Sequence, residues 1–364
     1  MTNYQDELQK LKAENRKLFE ELKRKKTKLT MTLKEIEEAH DDIKESHREL
    51  SDSVNYAKRI QLAIMPPRSI VNTMLKDNFI MYLPKDVVSG DFYFVEKIDD
   101  DVIFAVVDCT GHGVPGALLS VVGFNCLDRA VLKKGITRPC DILGFLDEAV
   151  NNTLRQTADE SGVKDGMDLG LCTLDTRTNT LQFSGAYNPA YIIKTKPVLD
   201  SVRERTIDAS HPRNAGKKII ETAMAGKPMA LKVAAGNGED ESWIAGKEEL
   251  VNEPSLSLEN YHLFEIKADK LQIGVNIDGV VDIYTNHTIQ LEKGDTVYLF
   301  SDGYADQFGG PHVKKFKGNR FKKLLLSIQD KPMTEQKRML VKTFSQWKSG
   351  QEQIDDVLVM GVKI

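Results

Sequence analysis

Residues 1–65 contain neither proline nor glycine, and Met65 is then followed by Pro66 and Pro67. Few stretches constrain a chain so tightly. Nothing before Pro66 interrupts a helix, and two consecutive prolines cannot continue one. With Leu8 at heptad position a, the later a positions are Asn15, Leu22, Leu29, Ile36, Ile43, Leu50, Ala57 and Ile64. The d positions are mixed: Leu11, Leu18, Lys25, Thr32, Ala39, Ser46, Ser53 and Ile60. An apolar repeat of seven held this long, among many Glu and Lys residues, argues for a coiled coil. A single asparagine at an a position favours a parallel dimer in fixed register. The alternative is a solitary solvated helix, and helices this polar rarely stay ordered alone.

After the prolines the texture changes to short β-rich runs: "FIMYLP", "GDFYFVEKI", "DVIFAVVD", "LGLCTLD", "LQFSGAY", "AYIIKT", "HLFEIKA", "TVYLFSD" and "DVLVMGVKI". Helical patterns lie near 116–133, 139–158, 320–328 and 333–347. Strands in runs with helices grouped apart predict an α+β layered domain with mostly antiparallel sheets. Residues 197–260 break this rhythm and read as an insertion, with "AAGNGEDES" as a loop. The expected organisation is a helix and regulatory linker over 1–65 and one domain over 66–364, interrupted at 197–260. A chain of 364 residues, 41% hydrophobic, is long enough for a sizeable core.

Several classes are disfavoured. Fifty basic against 54 acidic side chains leave a net charge of −4, and no basic stripe with interleaved aromatics points to nucleic acid. No apolar run approaches the ~18 residues that cross a bilayer, and the N-terminus has no signal-peptide core. Cys109, Cys126, Cys140 and Cys172 lie apart without CxxC spacing, as buried residues or free thiols would. A cytoplasmic protein is the simplest reading.

The chemistry sits in the carboxylates. Asp91 lies in "VSGDFYF", Asp108 in "VVDCTGHG", Asp302 in "YLFSDGYAD", and Asp355 and Asp356 precede "VLVMGVKI". Each adjoins an apolar strand, and strand ends of a layered sheet cluster in space. Such a cluster repels itself unless cations neutralise it. Hard divalent ions, Mg²⁺ or Mn²⁺, suit oxygen donors. Two of them about 3.5–4 Å apart share a bridging water, lower its pKa and clamp a phosphoryl group for in-line attack. Gly111 and Gly113 suit a turn that brings a peptide carbonyl, that of Cys109, to face an ion. For any one aspartate, ordinary turn chemistry is a sufficient explanation; their combined order is the signal.

That order resembles a known family. "SGDFY", "DCTGHGVPGALLS", "GAYNPAY", "GDTVYLFSDGYAD" and a terminal "DDVLV" follow one another as in the SpoIIE-like bacterial branch of the metal-dependent (PPM, type 2C-like) protein serine/threonine phosphatases. "RIQLAIMPP" is similar to that family's entry helix. The resemblance runs from about Asn55 to Ile364, outside the insertion. It implies a β-sandwich flanked by helices, with two Mn²⁺ or Mg²⁺ ions at one end. Carried over, the ligands are Asp91, Asp108, the Cys109 carbonyl, Asp302 and one of the final pair, Asp355 in preference to Asp356. Gly111, His112 and Asp356 would border the ions. The implied reaction is attack of a metal-bridging hydroxide on phosphoserine or phosphothreonine. The implied substrate is a phosphorylated anti-sigma-factor antagonist, and an upstream sensor is a further expected partner. The coiled coil would hold a homodimer and regulate the site.

Other residues stay open at this level. His112 is a proton donor or a turn histidine. Asn188 orients a loop or simply precedes Pro189. The basic run Val313 to Lys323 is a docking surface for acidic substrates or a solvated loop. A catalytically inactive dimeric scaffold and a histidine-kinase-type ATP site are the rival readings. The second lacks a helical asparagine box ahead of "DCTGHG".

Overall fold

The computed structural model describes residues 2–155, 165–195, 248–249, 254–258, 260–275 and 282–364. Most of the expected insertion, 197–260, therefore lies outside the described residues. Residues 1–57 and 58–364 form separate compact units.

Helix α1 runs Thr2–Ile64 and ends at the prolines. Its a-position residues Leu8, Leu22, Leu29, Ile36, Ile43 and Leu50 are all exposed. Pro67 then caps a short helix, α2 (Arg68–Met74), from an extended backbone, where no intrahelical bond needs its missing N–H.

The larger unit is a sandwich. In chain order it holds β1 (Asp77–Leu83), β2 (Phe92–Ile98), β3 (Asp101–Cys109), α3 (Gly113–Asp128), α4 (Pro139–Leu154), β4 (Met167–Asp175), β5 (Thr180–Ala186) and β6 (Ala190–Lys194). Then follow β7 (Glu248–Glu249), β8 (Leu256–Leu258), β9 (Tyr261–Ile266), β10 (Asn286–Gln290), β11 (Thr296–Phe300) and α5 (Gly303–Asp306). A small ribbon, β12 (Phe308–Gly309) with β13 (Lys314–Lys315), precedes α6 (Gly318–Ser327), α7 (Met333–Lys348) and β14 (Val357–Lys363). Among the described residues, one six-stranded sheet is ordered β1-β14-β11-β6-β9-β8 and the other β2-β3-β4-β5-β10-β7. All these pairings are antiparallel except β10 with β7.

Period-two alternation decides what each face meets. In β14, Leu358, Met360 and Val362 enter the main core, while Val357 and Val359 join the layer that holds Phe321 and Leu325 of α6 and Leu340 and Phe344 of α7. β11 does the same, with Val297 and Leu299 on one side and Tyr298 and Phe300 on the other. Strand β3 is buried continuously from Val102 to Val107. One of its faces meets the opposite sheet and the other lies under α3, so its sequence is a run rather than an alternation. The four cysteines are free and buried.

One expectation is corrected. Gly113–Lys133, α3 with the wide helical turn that follows it, is long and apolar enough to span a bilayer. Its Leu119, Cys126, Leu127, Ala130 and Val131 are buried in the main core, the setting of a core helix. Its apolarity comes partly from small residues, Gly, Ala and Cys, which dilute the polar ones.

Candidate metal centre

Antiparallel pairing places the end of one strand beside the start of its neighbour, and this sets the site. β2 begins where β3 ends, with Phe92 opposite Val107, so Asp91 and Asp108 share a rim. In the other sheet β11 ends beside the start of β14, with Phe300 opposite Val359, so Asp302 and the pair Asp355–Asp356 share the corresponding rim. Two contacts tie the rims together. The Ser301 hydroxyl donates to Asp91 Oδ2 and accepts from the Leu358 N–H at 3.0 Å. Asp356 accepts from the N–H of Gly90 and of Lys85, each at 2.7 Å.

The glycines have separate reasons. Gly111 (φ +79°) and Gly113 (φ +67°) occupy the left-handed region, where a side chain is strained. Gly90 leaves a space. A Cβ there would lie 2.6 Å from the Gly111 carbonyl oxygen, 3.2 Å from that of Cys109 and 3.6 Å from Asp356 Oδ2. Three oxygens therefore surround one point directly beside Asp91. Gly116 of α3 packs under the same Gly111 carbonyl, where a Cβ would approach to 2.3 Å.

The electrostatics are those of uncompensated acids. Burial pushes the Asp91 carboxyl well above the usual carboxylate range, and Asp108 adds to it; the Ser301 hydroxyl opposes. Burial likewise raises Asp108, followed by Asp302, Asp355 and Asp168. Asp302, although open to solvent on one side, is pushed up to about 6 by the wall around it and by Asp355 and Asp306, with Lys315 opposing. Asp355 is also raised, chiefly by burial, while Lys85 and His112 pull it down. Negative charge packed this way in low dielectric is costly until a cation arrives.

Asp168 belongs to this group and escaped the sequence reading. It sits in β4 directly opposite Asp108. Burial and then Asp302 push it up to about 6, and its Oδ1 is buried without a hydrogen-bond partner. The available signal was an acid inside the apolar strand "GMDLGLCTLD", where a buried face should carry none.

Among the described residues, no three His, Cys, Asp or Glu side chains are drawn onto one point as a closed ligand set. The fit to divalent cations rests instead on donor chemistry. Carboxylate and peptide oxygens converge, and one carboxylate oxygen is orphaned. Such an all-oxygen set suits Mg²⁺ or Mn²⁺. Asp356 already accepts two backbone N–H bonds, whereas Asp355 accepts one, from the Asp356 N–H at 2.9 Å.

His112 stands at the mouth, about half exposed, with Nδ1 2.7 Å from Asp86 Oδ2. Asn188 is buried in the turn between β5 and β6. The basic run is engaged locally: Lys315 pairs with Asp306, Lys322 with Glu265, and Arg320 stacks on Trp347.

Residues 98–208 and 253–364 match the family model "Stage II sporulation protein E (SpoIIE)". The chain belongs to the SpoIIE family. The match breaks over 209–252, inside the segment that the sequence marks as inserted. Among solved structures, the SiaA-PP2C domain of Pseudomonas aeruginosa is similar over 88% of this chain and 98% of its own, at 28% identity and a TM-score of 0.63. The PP2C phosphatase domain of SpoIIE from Bacillus subtilis, with a fragment of its regulatory domain, aligns over 79% of this chain and 63% of its own, at 17% identity and a TM-score of 0.48. A search of curated proteins finds no match. The fold is thus PP2C-like, a helix-flanked β-sandwich behind a long N-terminal helix, and the family is one of serine/threonine phosphatases.

Proposed function

We propose that this SpoIIE-family chain is a Mn²⁺- or Mg²⁺-dependent protein serine/threonine phosphatase. The observation that carries this is the convergence of Asp91, Asp108, Asp302 and Asp355, with the Cys109 and Gly111 carbonyls, at one end of the sandwich. Asp91, Asp108, Asp302, Asp355 and the Cys109 carbonyl would hold two ions. When bound, such ions make water nucleophilic near neutral pH and neutralise charge on a phosphoryl group. The chain's own residues do the rest. Ser301 fixes the rotamer of Asp91, Asp356 fastens Gly90 and Lys85 to the rim, and the glycine turn aims its carbonyls inward. The Asp86–His112 pair lies at the mouth, where a leaving alkoxide takes up a proton. The substrate class we propose is a phosphorylated regulatory protein, specifically an anti-sigma-factor antagonist. The test is release of phosphate from a phosphoserine peptide. Mn²⁺ should switch it on and chelation should switch it off; hydrolysis that survives chelation refutes the metal mechanism. An inactive scaffold predicts no hydrolysis at any Mn²⁺ concentration, but it leaves the retained acids without a purpose.

We also propose that the N-terminal helix pairs with a second copy and regulates the site. Its exposed apolar seam supports pairing, and its flanking charges favour a parallel, in-register arrangement. There each g residue faces the e residue five positions on in the other copy, so that Glu7 faces Lys12 and Glu21 faces Lys26. An antiparallel pair would instead set g against g, largely acid against acid. Deleting residues 1–50 should convert a dimer to a monomer by light scattering and change turnover per domain. Turnover per domain left unaltered by the deletion would reduce the helix to a tether, and a dimer that survives the deletion would refute pairing through it.

A further inference from the structure

The last turn of α1 carries one polar side chain that is almost completely buried. Gln61 is 3% exposed, and its amide is fully used. Nε2 donates to the Ser89 carbonyl at 2.6 Å and to Ser120 Oγ at 2.9 Å. Oε1 accepts from the Ser89 N–H at 3.2 Å. The orientation of the amide is unambiguous, because a peptide N–H only donates and a peptide carbonyl only accepts. One side chain thus grips both polar groups of a single peptide residue, as a neighbouring strand would.

Both of its partners lead to the rim. Ser89 Oγ accepts from the Asp91 N–H at 3.0 Å, and the next residue, Gly90, donates to Asp356 and lines the oxygen-walled space. Ser120 lies one turn along α3 from Gly116, which supports the Gly111 carbonyl. Ser120 in turn donates to the Ala117 carbonyl at 2.7 Å. The two walls that Gln61 joins are therefore those bearing Asp91 and the Gly111 carbonyl. Gln61 touches no proposed ligand side chain itself.

We infer that Gln61 is a positioning residue for the metal centre, clamping the Ser89–Asp91 segment to α3 so that the Asp91 carboxylate and the turn carbonyls keep their spacing. The inference rests on the metal-centre reading above. Removing the amide frees three buried polar partners at once, which loosens the segment rather than emptying volume.

The test uses the full chain, with Gln61→Met, close in size but without the amide, and Ser120→Ala, which removes only the α3 contact. In metal-free protein, amide hydrogen exchange over residues 88–92 and 111–117 should accelerate about tenfold in Gln61→Met and less in Ser120→Ala. Mn²⁺ affinity, measured by the paramagnetic signal of free Mn²⁺, should weaken about tenfold in Gln61→Met. The kcat for p-nitrophenyl phosphate should fall about tenfold at saturating Mn²⁺ with KM nearly unchanged, because the substrate is not what Gln61 positions. Faster exchange confined to residues 58–65, with Mn²⁺ affinity and kcat as in wild type, refutes the inference and leaves Gln61 a helix anchor. Wild-type chain that binds no Mn²⁺ refutes the metal centre and this inference together; Mn²⁺ binding in Gln61→Met as tight as in wild type refutes the inference alone.

Discussion

Asp302→Asn should lower kcat for a phosphoserine peptide about a thousandfold or more while leaving the protein folded. Asp302 lies at the end of β11, where Asp355, Asp306 and Asp108 share its field. Asparagine keeps the shape but removes the negative charge that would hold a cation. Losing about 4 kcal/mol of electrostatic stabilisation corresponds to about three decades in rate. The stability control has a definite sign. The folded protein raises the Asp302 pKa to about 6, above the ~3.9 of an unfolded chain. Its charge therefore opposes folding at pH 7.5 when no metal is bound, and the metal-free variant should melt no lower than wild type. Near-normal hydrolysis by this variant would remove Asp302 from the site. A fall in melting temperature would mean that the aspartate serves structure first.

Mn²⁺ should raise the melting temperature at pH 7.5 by about 5 °C or more at a hundredfold excess over its Kd. The effect should depend on pH in a way that is diagnostic. Asp91 and Asp108 sit well above the usual range, and Asp168 and Asp302 near 6. In the metal-free protein these groups hold protons that the unfolded chain has already released. Their contribution to stability is full below about pH 4 and is lost as pH rises through 6 and above. The metal-free melting temperature should accordingly fall between pH 5 and pH 7.5, and saturating Mn²⁺ should flatten that fall. Metal must also displace protons to bind. A single group titrating near 6 weakens Mn²⁺ affinity about tenfold at pH 5 relative to pH 7, and several groups weaken it further. Differential scanning calorimetry and Mn²⁺ titration across this range check both statements. An unmoved melting temperature, or affinity independent of pH, would exclude the acidic cluster as the binding site.

Much of the fold is readable because it is local. Pro66 and Pro67 end α1 wherever the rest of the chain goes, and period-two alternation marks β11 and β14 before their partners are known. The helix expected from 116 begins at Gly113, because the extended backbone of His112 starts it one turn early. Strand β10 (Asn286–Gln290) was not expected, since "NHTIQ" is mostly polar and gains its place by pairing with β5. The short helix α2 was missed because its seven residues show less than two full turns of pattern. Within the candidate site, the places of Asp91, Asp108, Asp302 and Asp355 at or next to strand ends are legible in the sequence. Asp168 is not, because it lies within a strand and its meaning depends on facing Asp108.

By itself, the order of residues determined the long helix and its stop, the strands that alternate, and the acids and glycines waiting at their ends. These follow from dihedral preferences and side-chain periodicity, which act over a few neighbours. Only the tertiary structure decided that two rims meet, that Asp168 joins them, that Asp356 is engaged by backbone amides, and that Gln61 reaches Ser89 and Ser120. Those relations join residues tens to hundreds of positions apart. They depend on sheet order and on which polar groups must find partners once water is excluded, and no local pattern encodes either.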